Sequence, residues 1–126
     1  MNVIVMSTYN GETYLQEQID SVLSQTFSGF DLIIRDDGST DGTREIVASF
    51  RDPRIRWIPG ENLGPAKSFF ALLEAAKDYD YLFFCDQDDV WFPSKMEEML
   101  AVLREKDGGP AMVFSDFCAI DGAGNT

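Results

Sequence analysis

A chain of 126 residues is long enough for one compact domain that buries roughly two-thirds of its surface, and too short for two ordinary ones. Its 44% hydrophobic and 13% aromatic content excludes disorder and predicts a packed core. The 22 acidic against 10 basic residues give a net charge of −12, a field that repels nucleic acid and leaves any phosphate ligand to be held by a metal, by backbone N–H groups or by a few placed cations.

Val3 to Met6 is a continuous apolar run rich in β-branched residues, which predicts a strand covered on both faces. Ser7-Thr8-Tyr9-Asn10-Gly11 follows as a loop. Tyr14, Leu15, Ile19, Val22 and Leu23 then fall on one stripe at helical spacing, which predicts a helix from about Glu12 to Gln25. Phe30 to Arg35 gives a second strand that runs into Asp36-Asp37-Gly38-Ser39-Thr40-Asp41-Gly42-Thr43. Ser39, Thr40 and Asp41 are suited to cap a short helix whose apolar face is Ile46, Val47 and Phe50. Arg54 to Pro59, bracketed by Pro53 and Pro59, predicts an edge strand. Pro65 starts a third helix, with Phe69, Phe70, Leu72, Leu73 and Ala76 as its wall up to about Lys77.

Tyr81 to Cys85 is a five-residue apolar strand that stops at Asp86-Gln87-Asp88-Asp89. Two carboxylates about 4 Å apart repel by about 4 kcal/mol at an effective dielectric of about 20, so this cluster predicts a divalent cation, with a solvated acidic loop as the plain alternative. Pro93 restarts a helix carrying Met96, Met99, Leu100 and Leu103, which Gly108-Gly109-Pro110 stops. Met112 to Phe114 is a further strand closed by Ser115-Asp116, and Phe117 to Ile120 begins a hairpin. The two cysteines, Cys85 and Cys118, are too few for a disulfide framework and are read as reduced. Met1 to Met6 lacks a positive flank, and no apolar run approaches the length of a membrane span. A soluble, cytoplasmic chain is expected.

The β-α-β-α-β-α-β-α-β order predicts a mainly parallel sheet with helices on both faces and right-handed crossovers. Ligands of such sheets bind outside the carboxyl ends of the strands. Thr8-Tyr9-Asn10, Asp36-Asp37, Asp86 to Asp89 and Ser115-Asp116 all fall at those ends. Three chemistries suit an acidic edge. An aspartyl-phosphate phosphatase would use Asp86 as nucleophile, but its strand should be the first and here it is the fourth. A receiver-type phosphoacceptor module would need its acid pair after the first strand, where Ser7-Thr8-Tyr9 stands. An EF-hand loop would need Gly where Trp91 stands.

A different chemistry accounts for every loop. Ser7-Thr8-Tyr9-Asn10-Gly11, Asp36-Asp37-Gly38-Ser39-Thr40-Asp41-Gly42-Thr43, Asn62-Leu63-Gly64 and Asp86-Gln87-Asp88-Asp89, in this order, resemble the family 2 glycosyltransferases of GT-A fold, and Cys85 to Trp91 looks most like their bacterial rhamnosyltransferase-type members. The resemblance implies an α/β, Rossmann-like GT-A sheet over residues 1–126 as one nucleotide-sugar-binding domain, incomplete because the acceptor half is absent. It implies Mg2+ or Mn2+ on Asp88, with Asp86 holding the ribose or the metal's water shell and Asp89 orienting the next loop. It also implies a pyrimidine and ribose held by Thr8 and Tyr9, an Asp37 carboxylate accepting the N3–H of uracil or thymine, and Lys67 near the base or phosphates. The plain readings are that Asp36 pairs with Arg35 or Arg44, that Tyr9 is packing and that Lys67 is a solvated helix residue.

The partners implied are a nucleotide-diphospho-sugar donor and a saccharide or lipid-linked saccharide acceptor of cell-surface polysaccharide synthesis, with the full-length protein at the inner face of the membrane. The family's general base is expected downstream of Thr126, and Asp116 is not assigned to it. The chain is therefore expected to transfer no sugar alone. A truncated sheet would leave an unpaired edge, through which a homodimer is expected.

Overall fold

The computed structural model describes residues 2–79, 81–85, 91, 93–105, 111–114 and 118–120, with the backbone course alone beyond residue 101. Among these residues six strands and four helices follow one another as β1 (Asn2–Thr8), α1 (Leu15–Leu23), β2 (Phe30–Asp37), α2 (Thr43–Ser49), β3 (Ile55–Gly60), α3 (Pro65–Ala75), β4 (Tyr81–Cys85), α4 (Lys95–Glu105), β5 (Ala111–Phe114) and β6 (Cys118–Ile120). They form one sheet in the order β3-β2-β1-β4-β5-β6. Every pairing among the described residues is parallel except β5 with β6; the hairpin expected to turn at Asp121-Gly122 lies outside the described residues.

Alternation along the strands divides the core in two. Ile4, Met6, Leu32, Ile34 and Phe83 point to the face covered by Leu15, Ile19 and Val22 of α1, Val47 of α2, and Met96, Met99 and Leu100 of α4. Val3, Val5 and Ile33 point to the other face, where Leu72 of α3 and Ala76 cover them. Side chains such as Ile4 and Phe83 are fully buried, each contributing about 1.5–3 kcal/mol relative to exposure. Strands β1 and β2 each have a neighbour on either side and are buried on both faces, which is why they read as apolar runs.

Strand β1 runs through Ser7 and Thr8, which the sequence reading gave to the following loop, and three further boundaries differ for reasons visible in the contacts. Helix α1 starts at Leu15 and not Glu12, because residues 10–12 are bonded to another loop: Glu12 Oε2 accepts the Gly42 N–H at 2.7 Å and the Glu12 N–H reaches Asp41 Oδ2 at 3.2 Å. Strand β2 runs two residues past Arg35, since β3 continues beside it and pairs Asp37 with Gly60. The residue at the N-cap of α2 is Gly42, not Ser39, Thr40 or Asp41. Asp41 still accepts the Thr43 N–H at 3.0 Å from one position further out, while Ser39 and Thr40 are engaged elsewhere. Strand β3 lies at the sheet edge as expected and carries Pro59. The opposite edge is the three-residue β6. A proline and a very short strand both blunt an edge, so the homodimer expected through one finds no support in the strand order.

Candidate active site at the carboxyl edge of the sheet

Strand β1 has β2 on one side and β4 on the other. The connection after β1 leads to one neighbour and the chain returns much later to the other, so the topological switch point, where sheets of this kind bind ligands, lies at the carboxyl ends of β1 and β4. Met6 lies beside Cys85 in the register, so the acid run leaves β4 next to the exit of β1.

On the α1 face of this edge the loops after β1 and β2 are stitched together. The Asn10 N–H donates to Ser39 Oγ at 2.8 Å, the Thr40 N–H donates to Asn10 Oδ1 at 2.8 Å, and the Gly11 N–H donates to Thr43 Oγ1 at 2.9 Å. Asn10 takes φ 50°, a left-handed conformation that asparagine tolerates, to make the turn. Asp36 accepts the Ser39 N–H at 2.9 Å and the Ser39 hydroxyl at 2.5 Å. Thr8, in register with Asp36, is buried, and its hydroxyl has no hydrogen-bond partner among the described residues.

The α3 face carries an ionic network that the sequence reading missed. Arg35 is 5% exposed and Asp37 4%. Arg35 Nη1 donates to Asp37 Oδ1 at 2.9 Å and to Ser68 Oγ at 2.9 Å, and Nη2 donates to the Glu61 carbonyl at 3.1 Å. The Ser68 hydroxyl meets Ser7 Oγ at 2.6 Å. Asp37 also accepts the N–H groups of Leu63 at 2.8 Å and Gly64 at 3.2 Å. Burial alone would raise the Asp37 pKa; the bonds from Leu63, Arg35 and Gly64 and the Arg35 charge outweigh it and hold the carboxyl below its usual value. The acid paired with Arg35 is thus Asp37 and not Asp36. Residues i and i+2 of a strand share a face, whereas neighbours point to opposite ones. That rule, applied to a lone arginine in an apolar run, was the available signal.

Two glycines make room for the network. A Cβ on Gly60 would lie 2.4 Å from Arg35 Nη2, and one on Gly38, at φ +81°, would lie 2.9 Å from the Asn62 backbone nitrogen. The 61–64 loop therefore sits directly on the turn after Asp37.

Helix α1 holds both ends of the acid run. Gln18 Nε2 donates to Cys85 Sγ at 3.4 Å before it, and after it the Trp91 N–H donates to Ser21 Oγ at 3.0 Å and the Met96 N–H to Gln25 Oε1 at 2.8 Å. Gln18 and Ser21 of α1 and Gln25, two residues past its end, continue one helical spacing, which explains polar residues on a helix whose other inward positions are apolar.

Of the residues singled out from sequence, Thr8 and Asp37 stand at the same edge on opposite faces of the sheet, Tyr9 follows Thr8 and is 42% exposed, and Lys67 is exposed in the first turn of α3. Asp86, Asp88, Asp89 and Asp116 lie outside the described residues. Among the described residues no group of three metal-ligating side chains gathers. The donor set of the acid run itself, carboxylate oxygens with no histidine anywhere in the chain, suits Mg2+ or Mn2+ and not zinc. No helix among the described residues is long and apolar enough to cross a membrane.

The family model described as "Glycosyl transferase family 2" matches residues 3–120. Over 105 residues the chain is 35% identical to the dTDP-rhamnosyl transferase RfbG of Shigella flexneri, covering 78% of this chain and 36% of that protein. It is also 35% identical over 105 residues to WfgD of Escherichia coli, a UDP-Glc:alpha-D-GlcNAc-diphosphoundecaprenol beta-1,3-glucosyltransferase, covering 82% and 41%. Among solved structures it is similar to S. aureus TarS in complex with UDP-GlcNAc, with TM-score 0.75, 28% identity, and coverage of 82% of this chain and 31% of that one. The chain spans about a third of the length of these relatives.

Proposed function

The chain belongs to the family 2 glycosyltransferases, with their GT-A fold, and we propose that it is the donor-binding part of an inverting enzyme that moves a sugar from a UDP- or dTDP-sugar to a saccharide or lipid-linked saccharide acceptor in cell-surface polysaccharide synthesis. The observation that carries this reading is the switch point of the sheet, where the β1 exit, the Asp37 carboxylate and Cys85, the residue before the acid run, share one carboxyl edge. The donors named for RfbG and WfgD and the UDP-GlcNAc bound to TarS support a pyrimidine nucleotide sugar, and the WfgD name supports a lipid-linked acceptor.

The roles follow from the chemistry of each group. Thr8 and Tyr9 border the base and ribose at the end of β1. An ionised Asp37 accepts hydrogen bonds only, so it selects a base whose ring nitrogen donates: the N3–H of uracil or thymine fits, and the N3 of cytosine, an acceptor, is repelled. Lys67, exposed beside the same edge, adds a cation toward the phosphates in a field that is otherwise negative. Asp88 and Asp86 would hold Mg2+ or Mn2+, which when bound neutralises charge on the departing nucleoside diphosphate. No general base is assigned among these 126 residues.

Calorimetry of UDP and dTDP binding with and without Mn2+ tests the reading. Metal-dependent binding that Asp88→Ala abolishes is expected, and equal affinity in the variant would remove the metal assignment. Sugar transfer by this chain alone would show that a base lies within it.

A further inference from the structure

The Arg35 guanidinium has no role in the roles just given, yet it is buried, charged and makes three hydrogen bonds to three different segments. Burying a cation solely for stability is a poor arrangement, because its desolvation offsets most of the gain, and an apolar residue would serve a parallel strand as well. The three acceptors explain what the charge does. Asp37 belongs to β2, Ser68 to α3, and Glu61 to the loop between β3 and α3. A planar fork fixes all three relative to one another, which a lysine ammonium cannot do.

A carboxylate has about four acceptor positions. On Asp37, Oδ1 takes Arg35 and the Leu63 N–H, while Oδ2 takes the Gly64 N–H alone among the described residues. One acceptor position on Oδ2 is left, and its direction is set by the groups holding the other three. The slot at Gly60 places Arg35 over the end of β3, and a Cβ there would displace the guanidinium. Ser68 is fully buried and joins the fork to Ser7 on β1.

Resting on the nucleotide-binding reading above, we propose that Arg35 is the positioning residue of the base-recognition site: seated in the Gly60 slot, it aims the remaining acceptor of Asp37 and thereby sets the preference for a uracil or thymine nucleotide over a cytosine one. Arg35 acts through Asp37 and does not touch the nucleotide. Its loss therefore erodes discrimination between bases, whereas a purely structural role would weaken all nucleotides together.

The experiment measures UDP and CDP affinities side by side, in the presence of Mn2+, for the chain and for Arg35→Lys, with far-ultraviolet circular dichroism reporting the fold. The unaltered chain prefers UDP, and Arg35→Lys lowers the UDP-to-CDP affinity ratio about tenfold, the equivalent of one well-aimed hydrogen bond. An unchanged ratio, or an equal loss for both nucleotides, overturns the assignment of Arg35 and leaves the binding reading standing. No preference in the unaltered chain would remove the base-reading role of Asp37 and this inference with it. Should Arg35→Lys fail to fold, Ser68→Ala, which removes one of the fork's acceptors, carries the test: a ratio lowered about threefold supports the proposal and an unchanged one overturns it.

Discussion

Replacing Gly60 with alanine pits two effects against each other. The backbone of Gly60 is not left-handed, so alanine's smaller unfolded-state entropy should stabilise the chain by about 0.4–1 kcal/mol. Against this, the new Cβ would lie 2.4 Å from Arg35 Nη2, 2.7 Å from Cζ and 3.0 Å from the Asp36 carbonyl oxygen. The guanidinium must retreat by about 1 Å to reach ordinary separation. Its bonds to the Glu61 carbonyl at 3.1 Å and to Asp37 at 2.9 Å then stretch beyond hydrogen-bonding distance. Each bond to a charged group is worth about 1.5–3 kcal/mol, so after partial relaxation the clash wins by about 2–4 kcal/mol. For a chain of this size that lowers the melting temperature by roughly 10 °C. Urea denaturation of Gly60→Ala, Arg35→Ala and the double variant measures the coupling. With no guanidinium to displace, Gly60→Ala should be close to neutral in the Arg35→Ala background. A single-variant cost below about 1 kcal/mol, or the same cost in both backgrounds, would refute the slot geometry.

Acid should weaken the fold through the carboxylates whose pKa values fall on folding. Bonds from Arg54 hold Asp52 below its usual value, so its contribution is complete above about pH 4 and lost as pH falls through the lower folded value. The denaturation midpoint should be flat above about pH 5 and decline below about pH 4, with a shallower decline in Asp52→Asn; parallel acid limbs would contradict the pairing. Ser21→Ala leaves the buried Trp91 N–H without its acceptor, at a cost of about 1–2 kcal/mol. Since Trp91 follows the acid run, nucleotide binding with Mn2+ should weaken more in this variant than binding in a chelator, and an equal change in both would contradict a role for α1 in holding that run.

The order of elements was legible because each carries a strong local signal. The Tyr81–Cys85 strand was read to the residue, and the apolar stripe of α1 named its buried face; the wall read for α3 was right at Leu72 and Ala76 but wrong at Phe70, which is 65% exposed, while Ser68 is buried in its place. What escaped was set by contacts between distant segments. The start of α1 was misplaced because Glu12 and Asn10 bond to residues near Asp41, some thirty positions on, and no local pattern announces that. Capping of α2 was misassigned for the same reason, since Ser39 and Thr40 satisfy Asp36 and Asn10 instead. Asp37 stood out in sequence as an acid at a strand end, but it was given no charge partner, and Arg35 was offered to Asp36 because adjacency along the chain was given more weight than strand alternation. Thr8 and Asp37 were both placed at the right edge; that they occupy opposite faces follows from β1 and β2 being aligned so that Thr8 lies beside Asp36.

The position of β1 between β2 and β4 also orders events during synthesis. Val3 pairs with Asp31 on one side and with Leu82 on the other, so the second partner is made 79 residues after Val3 itself. At about 5–20 residues per second the β4-facing ladder of β1 waits roughly 4–16 s for its neighbour. In that interval the segments that surround Asp37, through Ser68, are already available to close on one another, while the acid run has yet to be added. The network around Asp37 can thus be assembled before the acid run exists, and β1, with Val3 to Met6 fully buried in the finished sheet, has a bare side that needs protection while the chain is growing.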